Sequence, residues 1–215
     1  MLNEQQTSKK IYLIRHGETT YNKLGLVQGS GIDSDLNEEG REQALAFFNH
    51  YQHIPFDKVY TSKLKRTHQS VQSFLNSGLP WQQLEGLNEM SWGYKEGKVI
   101  SDADNEQYIN MLLAWNHGDY TQKVPGGESP LEVQERQKLA WEYIMSNEHE
   151  QHVLVCMHGR AIRILLCLLL GVPLKEMDNF QHRNLCLYLL SYQNGTYSIE
   201  KTCDTEHLTP QRIYW

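Results

Sequence analysis

The stretch Ile11-Tyr12-Leu13-Ile14-Arg15-His16-Gly17 has a counterpart far along the chain, Val153-Leu154-Val155-Cys156-Met157-His158-Gly159. In each, a short apolar run rich in Val, Ile and Leu leads into a histidine followed by glycine. Such runs, bounded by polar segments, read as buried strands. Each histidine then stands where a strand ends and a loop begins, and in an open α/β sheet ligands gather beyond the carboxyl ends of the strands. If the two strands are parallel neighbours, His16 and His158 face one another across one crevice.

Working outward, Asn37 is placed to cap a helix whose first turn carries Glu38 and Glu39, with Ala44, Leu45, Phe48 and Tyr51 as its apolar face. A short strand, 58–61, follows. Ser62 then reads as the cap of a second helix with Leu64, Val71, Phe74 and Leu75 at helical spacing, which puts Arg66 in its first turn. Residues 84–98 contain three glycines and no sustained period, so they read as a loop, and it carries Glu89. Residues 102–115 look helical. Ser129-Pro130-Leu131-Glu132 combines a capping box with proline at the first helical position, opening a helix with Val133, Gln137, Ala140, Trp141 and Ile144 on one face. Residues 160–170 form an almost wholly buried helix stopped by Gly171 and Pro173. Residues 185–192 and 196–201, joined through Asn194-Gly195, read as a hairpin. The alternation predicts an α/β fold, a three-layer α/β/α sandwich with a mainly parallel central sheet and an antiparallel edge strand.

A chain of 215 residues suits a single domain, 1–215, with a loop and helix elaboration at about 86–129. With 20 Lys and Arg against 26 Asp and Glu, the net charge is -6, which argues against nucleic acid as a partner. Any anion site must be a local concentration of positive charge. Cys156, Cys167, Cys186 and Cys203 show no CxxC spacing, and the first three lie in apolar runs, where a free thiol serves as a small hydrophobe. Residues 1–10 lack the apolar stretch of a signal peptide, and the longest apolar run, 164–170, falls far short of the ~20 residues of a membrane span. The expectation is a cytoplasmic protein without membrane partners; no readable interface sets its oligomeric state.

The neighbours of His16 give it a chemistry. Arg15 precedes it, Gly17 permits close backbone approach, and Glu18-Thr19-Thr20-Tyr21-Asn22 offers hydroxyl, amide and backbone donors on a turn. Arg66, from a second strand end, can add another fork to what resembles a cradle for phosphate. Positive surroundings favour neutral imidazole, which keeps a ring nitrogen free to attack phosphorus, and they stabilise the charge on a transferring phosphoryl group.

These residues resemble the signature of the histidine phosphatase superfamily, also called the phosphoglycerate-mutase-like family, over nearly the whole chain. The specific element is Arg15-His16-Gly17-Glu18-Thr19 with Asn22. Gln28-Gly29, the run Thr61-Ser62-Lys63-Leu64-Lys65-Arg66, Glu89 with Gly93 and Glu96-Gly97, Pro125-Gly126-Gly127-Glu128-Ser129, and His158-Gly159 follow in order. The resemblance implies that His16 becomes a phosphohistidine, that Arg15, Arg66 and His158 hold the phosphoryl oxygens, and that Glu89 protonates the leaving group. It further implies that Gly17, Glu18, Thr19, Asn22, Gln28, Gly29 and Gly159 line the phosphate or substrate pocket, with no metal and no cofactor. A small phosphorylated metabolite is the expected substrate.

Three positions depart from the pattern: Lys63 stands where proline is frequent, Asp35 precedes Leu36 where proline is usual, and Arg160 follows Gly159 where a small residue is common. Arg160 reads either as a rim charge for a second anionic group or as a solvated residue at a helix start. Trp92 and Tyr94 are candidates to shape a leaving-group pocket, as is Trp115, for which core packing is equally open. The remaining histidines, at 50, 53, 68, 117, 149, 152, 182 and 207, read as surface or structural. Two rivals to hydrolysis stand: a phosphoglycerate mutase and an inactive phospho-ligand-binding module. The short span from Glu89 to His158 favours hydrolysis over the mutase, and the intact set of nucleophile and acid argues against the module.

Overall fold

The structure, a computed structural model, describes residues 8–99 and 102–208. Most of the stretch read as lacking a leader thus lies outside the described residues, as do 100–101 in the predicted elaboration. Six strands, β1 (Ser8–Arg15), β2 (Lys58–Thr61), β3 (Trp81–Gln83), β4 (His152–Met157), β5 (Leu187–Gln193) and β6 (Thr196–Asp204), form one sheet in the order β3-β2-β4-β1-β5-β6. The helices are α1 (Thr20–Lys23), α2 (Glu38–Tyr51), α3 (Lys65–Ser70), α4 (Gln72–Asn76), α5 (Asp102–Asn116), α6 (Pro130–Ser146) and α7 (Gly159–Leu170).

Strand β4 runs parallel to both β1 and β2, and β3 adds a short parallel edge; β5 and β6 are antiparallel. The predicted mainly parallel sheet is therefore present, with an antiparallel hairpin at one side and the additional strand β3 at the other. Asn194 and Gly195 both take positive φ, 48° and 87°, the left-handed pair that a tight hairpin turn of this twist requires.

Side-chain parity builds the layers. Ile11, Leu13, Val153, Val155 and Met157 point to one face, against Ala140, Trp141 and Ile144 of α6 and Ala161, Ile162 and Leu165 of α7. Tyr12, Ile14, Leu154 and Cys156 point to the other, against Phe47 and Tyr51 of α2 and Phe74 of α4. Because both faces are covered, the central stretches of β1 and β4, 11–14 and 153–157, must be apolar at every position, which is the continuous run seen in the sequence. A third cluster joins Met111 and Trp115 of α5 to Met90, Val124, Val133 and Ile164, and so docks the elaboration beside α6 and α7.

Two helices differ from their sequence reading. Asn37 does cap α2, its Oδ1 accepting from Gly40 N at 2.8 Å, yet the buried stripe is Gly40, Phe47 and Tyr51 while Leu45 is 53% exposed. The helix is turned by the docking of Gly40 on Glu18, a contact that an apolar-residue count overlooks because glycine has no side chain. The second predicted helix is interrupted at Val71 and begins two residues later, with Leu64 rather than Ser62 at its cap position. Ser62 is instead turned inward.

Gly40 admits no side chain: a Cβ there would lie 2.1 Å from the Glu18 carbonyl oxygen. Gly40→Ala is expected to cost about 1–3 kcal/mol of stability, the usual range for forced overpacking, read as a lowered urea midpoint.

Candidate active site

The pairing of β1 with β4 aligns Arg15 with Met157, and His16 N extends the ladder by donating to Met157 O at 3.0 Å. One step beyond, His16 and His158 lie side by side, their ring centroids 5.1 Å apart. Both are buried. His16 Nδ1 lies 2.7 Å from Gly17 O. A carbonyl only accepts, so Nδ1 carries the proton and Nε2 keeps its lone pair. Burial, then Arg66 and Arg15, hold the imidazolium pKa of His16 well below 6.5.

Arg66 reaches this pair from the first turn of α3, fully buried. Its Nε donates to His158 Nδ1 at 3.2 Å, Nη1 to Ile32 O at 2.6 Å and Nη2 to Gly29 O at 3.2 Å. Two of its N–H groups stay available to a ligand. Burial lowers its pKa to about 10, against the opposing pull of Glu89 and Asp33. Since His158 Nδ1 accepts from Arg66, its proton sits on Nε2 and is donated to Ser62 Oγ at 2.8 Å. Both ring nitrogens of His158 are thus held by protein partners, and donation to a phosphoryl oxygen requires Ser62 to be released. Burial, followed by Arg66, His16 and Arg15, keeps His158 neutral as well.

Glu89 lies at the N-terminus of α7. Its Oε1 accepts from Met90 N at 2.8 Å and Ala161 N at 2.9 Å, and Oε2 from Arg160 N at 3.2 Å. With two donors on Oε1 and one on Oε2, the remaining acceptor direction for a proton is on Oε2. Arg136 of α6 fixes the backbone that carries this carboxyl. Its five N–H bonds go to Gly86 O, Asn88 O, Glu89 O and both carboxylate oxygens of Glu128, all at 2.8–3.0 Å. Sequence reasoning missed Arg136, since a single arginine on a helix carries no local signal. It also missed Ser62 as the partner of His158.

Arg15 is held differently. Its Nη1 lies 3.0 Å from His182 Nδ1, its buried Nε has no partner, and among the described residues no carboxylate lies within ion-pair distance of Arg15 or Arg66. Two guanidiniums and two neutral imidazoles therefore converge, with Glu89 as the charge that both arginines feel. Such a cluster is complementary to an anion with several acceptor oxygens.

The residues expected to line the pocket divide. Gly17 N donates to Ser70 Oγ at 2.8 Å and its Cα packs on Gly40. Glu18 is turned away, accepting from Asn37 Nδ2 at 2.7 Å. Thr19 caps α1 with Asn22 as its capping-box partner, and Thr19 Oγ1 also reaches Gln28 Oε1 at 2.9 Å. Asn22 Oδ1 further accepts from Asn184 Nδ2 at 3.2 Å, the same group that donates to His16 O at 3.1 Å. Gly29 carries the carbonyl that Arg66 holds, and Gly159 lies under the His182 ring. These residues are thus mainly the frame of the cluster.

Arg160 is neither solvated nor free. It is nearly buried, donates from Nη1 to Asp178 Oδ1 at 2.7 Å and from Nη2 to Tyr108 OH at 3.1 Å, and lies over the Trp92 and Trp115 rings. Trp115 is core, whereas Trp92 is half-buried and Tyr94 exposed.

Comparison with known proteins places the chain in a family. The family model described as "Histidine phosphatase superfamily (branch 1)" matches residues 11–205. A protein of Hydrogenobacter thermophilus, provisionally named phosphoserine phosphatase 2, is 29% identical over 94% of this chain and all of its own length. The 6-phosphofructo-2-kinase/fructose-2,6-bisphosphatase of Gallus gallus is 32% identical over 82% of this chain, which spans only 36% of that protein. Among solved structures, mycobacterial glucosyl-3-phosphoglycerate phosphatase superposes with a TM-score of 0.80 at 25% identity, covering 92% of this chain and all of that one.

Burial of neutral histidines has a measurable consequence. His16 and His158 are held well below 6.5, and burial with Arg15, Arg163 and Arg160 lowers His182 to about 3. In the unfolded chain each protonates near 6.5, so from there downward the unfolded state binds more protons and stability falls with pH. Each ring contributes at most about 1.4 kcal/mol per pH unit. Urea unfolding between pH 7.5 and 5 is expected to show this loss, with little change above pH 7 from these groups, and His182→Asn is expected to flatten the slope.

Proposed function

The chain belongs to the histidine phosphatase superfamily, and on that premise we propose that it hydrolyses phosphomonoesters of small metabolites through a phosphohistidine on His16. The observation that carries this reading is the fixed tautomer of His16: Gly17 O accepts from Nδ1–H, which leaves the Nε2 lone pair free on a ring that lies beside His158 and in the field of Arg66 and Arg15. Nε2 attacks phosphorus while the P–O bond to the leaving group breaks, and Glu89, which takes up a solvent proton at Oε2 when the phosphate dianion enters beside it, passes that proton to the leaving oxygen. Water then attacks the phosphohistidine, giving its proton to the Glu89 carboxylate, and phosphate departs with His16 neutral again. Arg15 and Arg66 offset the charge on the equatorial oxygens throughout.

The substrates named for the relatives, such as glucosyl-3-phosphoglycerate and fructose-2,6-bisphosphate, are small phosphorylated molecules, in keeping with this class. A screen of phosphorylated sugars, glycerates and nucleotide-related metabolites for phosphate release identifies the substrate. Conversion of 3-phosphoglycerate in the presence of 2,3-bisphosphoglycerate would show the mutase reading instead, and absence of turnover across the panel and with p-nitrophenyl phosphate would show the binding module.

His16→Ala is expected to abolish turnover and the acid-labile phosphoenzyme; retained activity would remove His16 as nucleophile. Glu89→Gln is expected to slow alkyl phosphates by more than tenfold beyond its effect on p-nitrophenyl phosphate, whose leaving group needs less protonation; general-acid contributions run at about a hundredfold or more. Equal losses on both substrate types would remove the acid role.

A further inference from the structure

We propose that His182 is the positioning residue for Arg15, orienting its guanidinium toward the phosphoryl site without neutralising it; this rests on the reading of Arg15 as a holder of phosphoryl oxygens. The two arginines of the cluster are secured by contrasting means. Arg66 is anchored by Ile32 O, Gly29 O and His158. Arg15 has His182 Nδ1 as its hydrogen-bond partner, with Nε unpartnered in the interior.

The fold makes room for this contact. A Cβ at residue 159 would lie 2.9 Å from His182 Cε1 and 3.1 Å from each ring nitrogen, so only glycine after His158 lets the ring lie there. The ring arrives on the loop after the 3-10 segment Leu174–Asn179. Two residues on, Asn184 donates to His16 O, and Leu185, at a left-handed φ of 52°, turns its N–H toward Arg15 O at 3.2 Å. One short stretch thus ties down both the nucleophile backbone and the Arg15 side chain. The strained φ at a branched side chain, which costs on the order of 1–3 kcal/mol, is consistent with a turn held in place for that purpose.

The choice of histidine has a physical logic. A guanidinium only donates, so His182 Nδ1 must be an acceptor, and its proton resides on Nε2. Burial and the surrounding Arg15, Arg163 and Arg160 keep the ring neutral. A carboxylate at this place would orient Arg15 more strongly but cancel the charge that a phosphoryl dianion needs. A neutral acceptor fixes the direction of the N–H groups and leaves the whole positive charge to the ligand.

The test is steady-state hydrolysis of p-nitrophenyl phosphate with inorganic phosphate as competitive inhibitor. It compares the wild type with His182→Ala, His182→Gln, His182→Asn, Arg15→Ala and the Arg15→Ala/His182→Ala double variant. Asparagine places its carbonyl oxygen near the Nδ1 position, and glutamine places its own nearer Nε2. The Ala and Gln variants are expected to lose about ten- to a hundredfold in kcat/KM and to bind phosphate correspondingly more weakly, as fits a lost hydrogen bond to a charged group; Asn is expected to recover most of that loss. In the Arg15→Ala background, His182→Ala is expected to add nothing, because a residue acting through Arg15 is not additive with its removal. Wild-type behaviour of the Gln and Ala variants, an Asn variant as impaired as Ala, or an undiminished loss in the Arg15→Ala background would each overturn the proposal while leaving the phosphatase reading intact. A wild type that neither turns over substrate nor binds phosphate would overturn that reading, and this role for His182 with it.

Discussion

Parallel pairing of β1 with β4 in one fixed register is the constraint on which the rest depends. Buried on both faces, neither strand can slip by one residue without exchanging its two sets of apolar side chains between the layers. Ile11 and Leu13 would leave α6 and α7 for α2, and Tyr12 and Ile14 the reverse. The register that packing enforces also places His16 next to His158. Core packing thereby sets the spacing of a polar cluster that contributes nothing to the core itself.

That cluster is costly by construction. Arg15 and Arg66 bring two positive charges together without a directly paired carboxylate among the described residues, and burial lowers both of their pKa values. The imidazoles between them answer by staying neutral, each with a proton whose place is dictated by a neighbour: Gly17 O for His16, Arg66 for His158, Arg15 for His182. Glu89 balances part of the charge at a distance. Its carboxylate is satisfied by the N-terminal amides of α7, so it need not form an ion pair with either guanidinium.

What was legible in the sequence followed from local rules. The His16 and His158 strands, the Ser129 capping box with Pro130, the Gly171 stop and the Asn194-Gly195 turn each depend on residues adjacent in the chain, and the structure places them as expected. The parts that were not legible depend on distant partners. Leu45 falls on the apolar face by spacing yet is exposed, because the docking of Gly40 on Glu18 leaves no mark in an apolar pattern. Ser62 read as a helix cap because its partner, His158, comes almost a hundred residues later. His182 carries no local signal that separates it from surface and structural histidines, for the same reason: its partners are Arg15 from the first strand and Gly159 from the start of α7. Arg160 is not the solvated residue that its place at a helix start suggests, because Asp178 and two tryptophan rings reach it from elements that no spacing connects to it.

The five-bonded Arg136 separates two jobs that share one stretch of chain. By gripping the carbonyls of Gly86, Asn88 and Glu89 on one side and the Glu128 carboxylate on the other, it closes the excursion between them like a staple across the neck of a loop. Change at exposed positions between Met90 and Gly127, such as Tyr94, Ile109 and Leu113, therefore leaves the backbone that carries Glu89 in place, so long as the buried Met111, Trp115 and Val124 keep the segment docked. An enzyme divided in this way can acquire a new substrate by drift in one segment, without disturbing the reaction it performs.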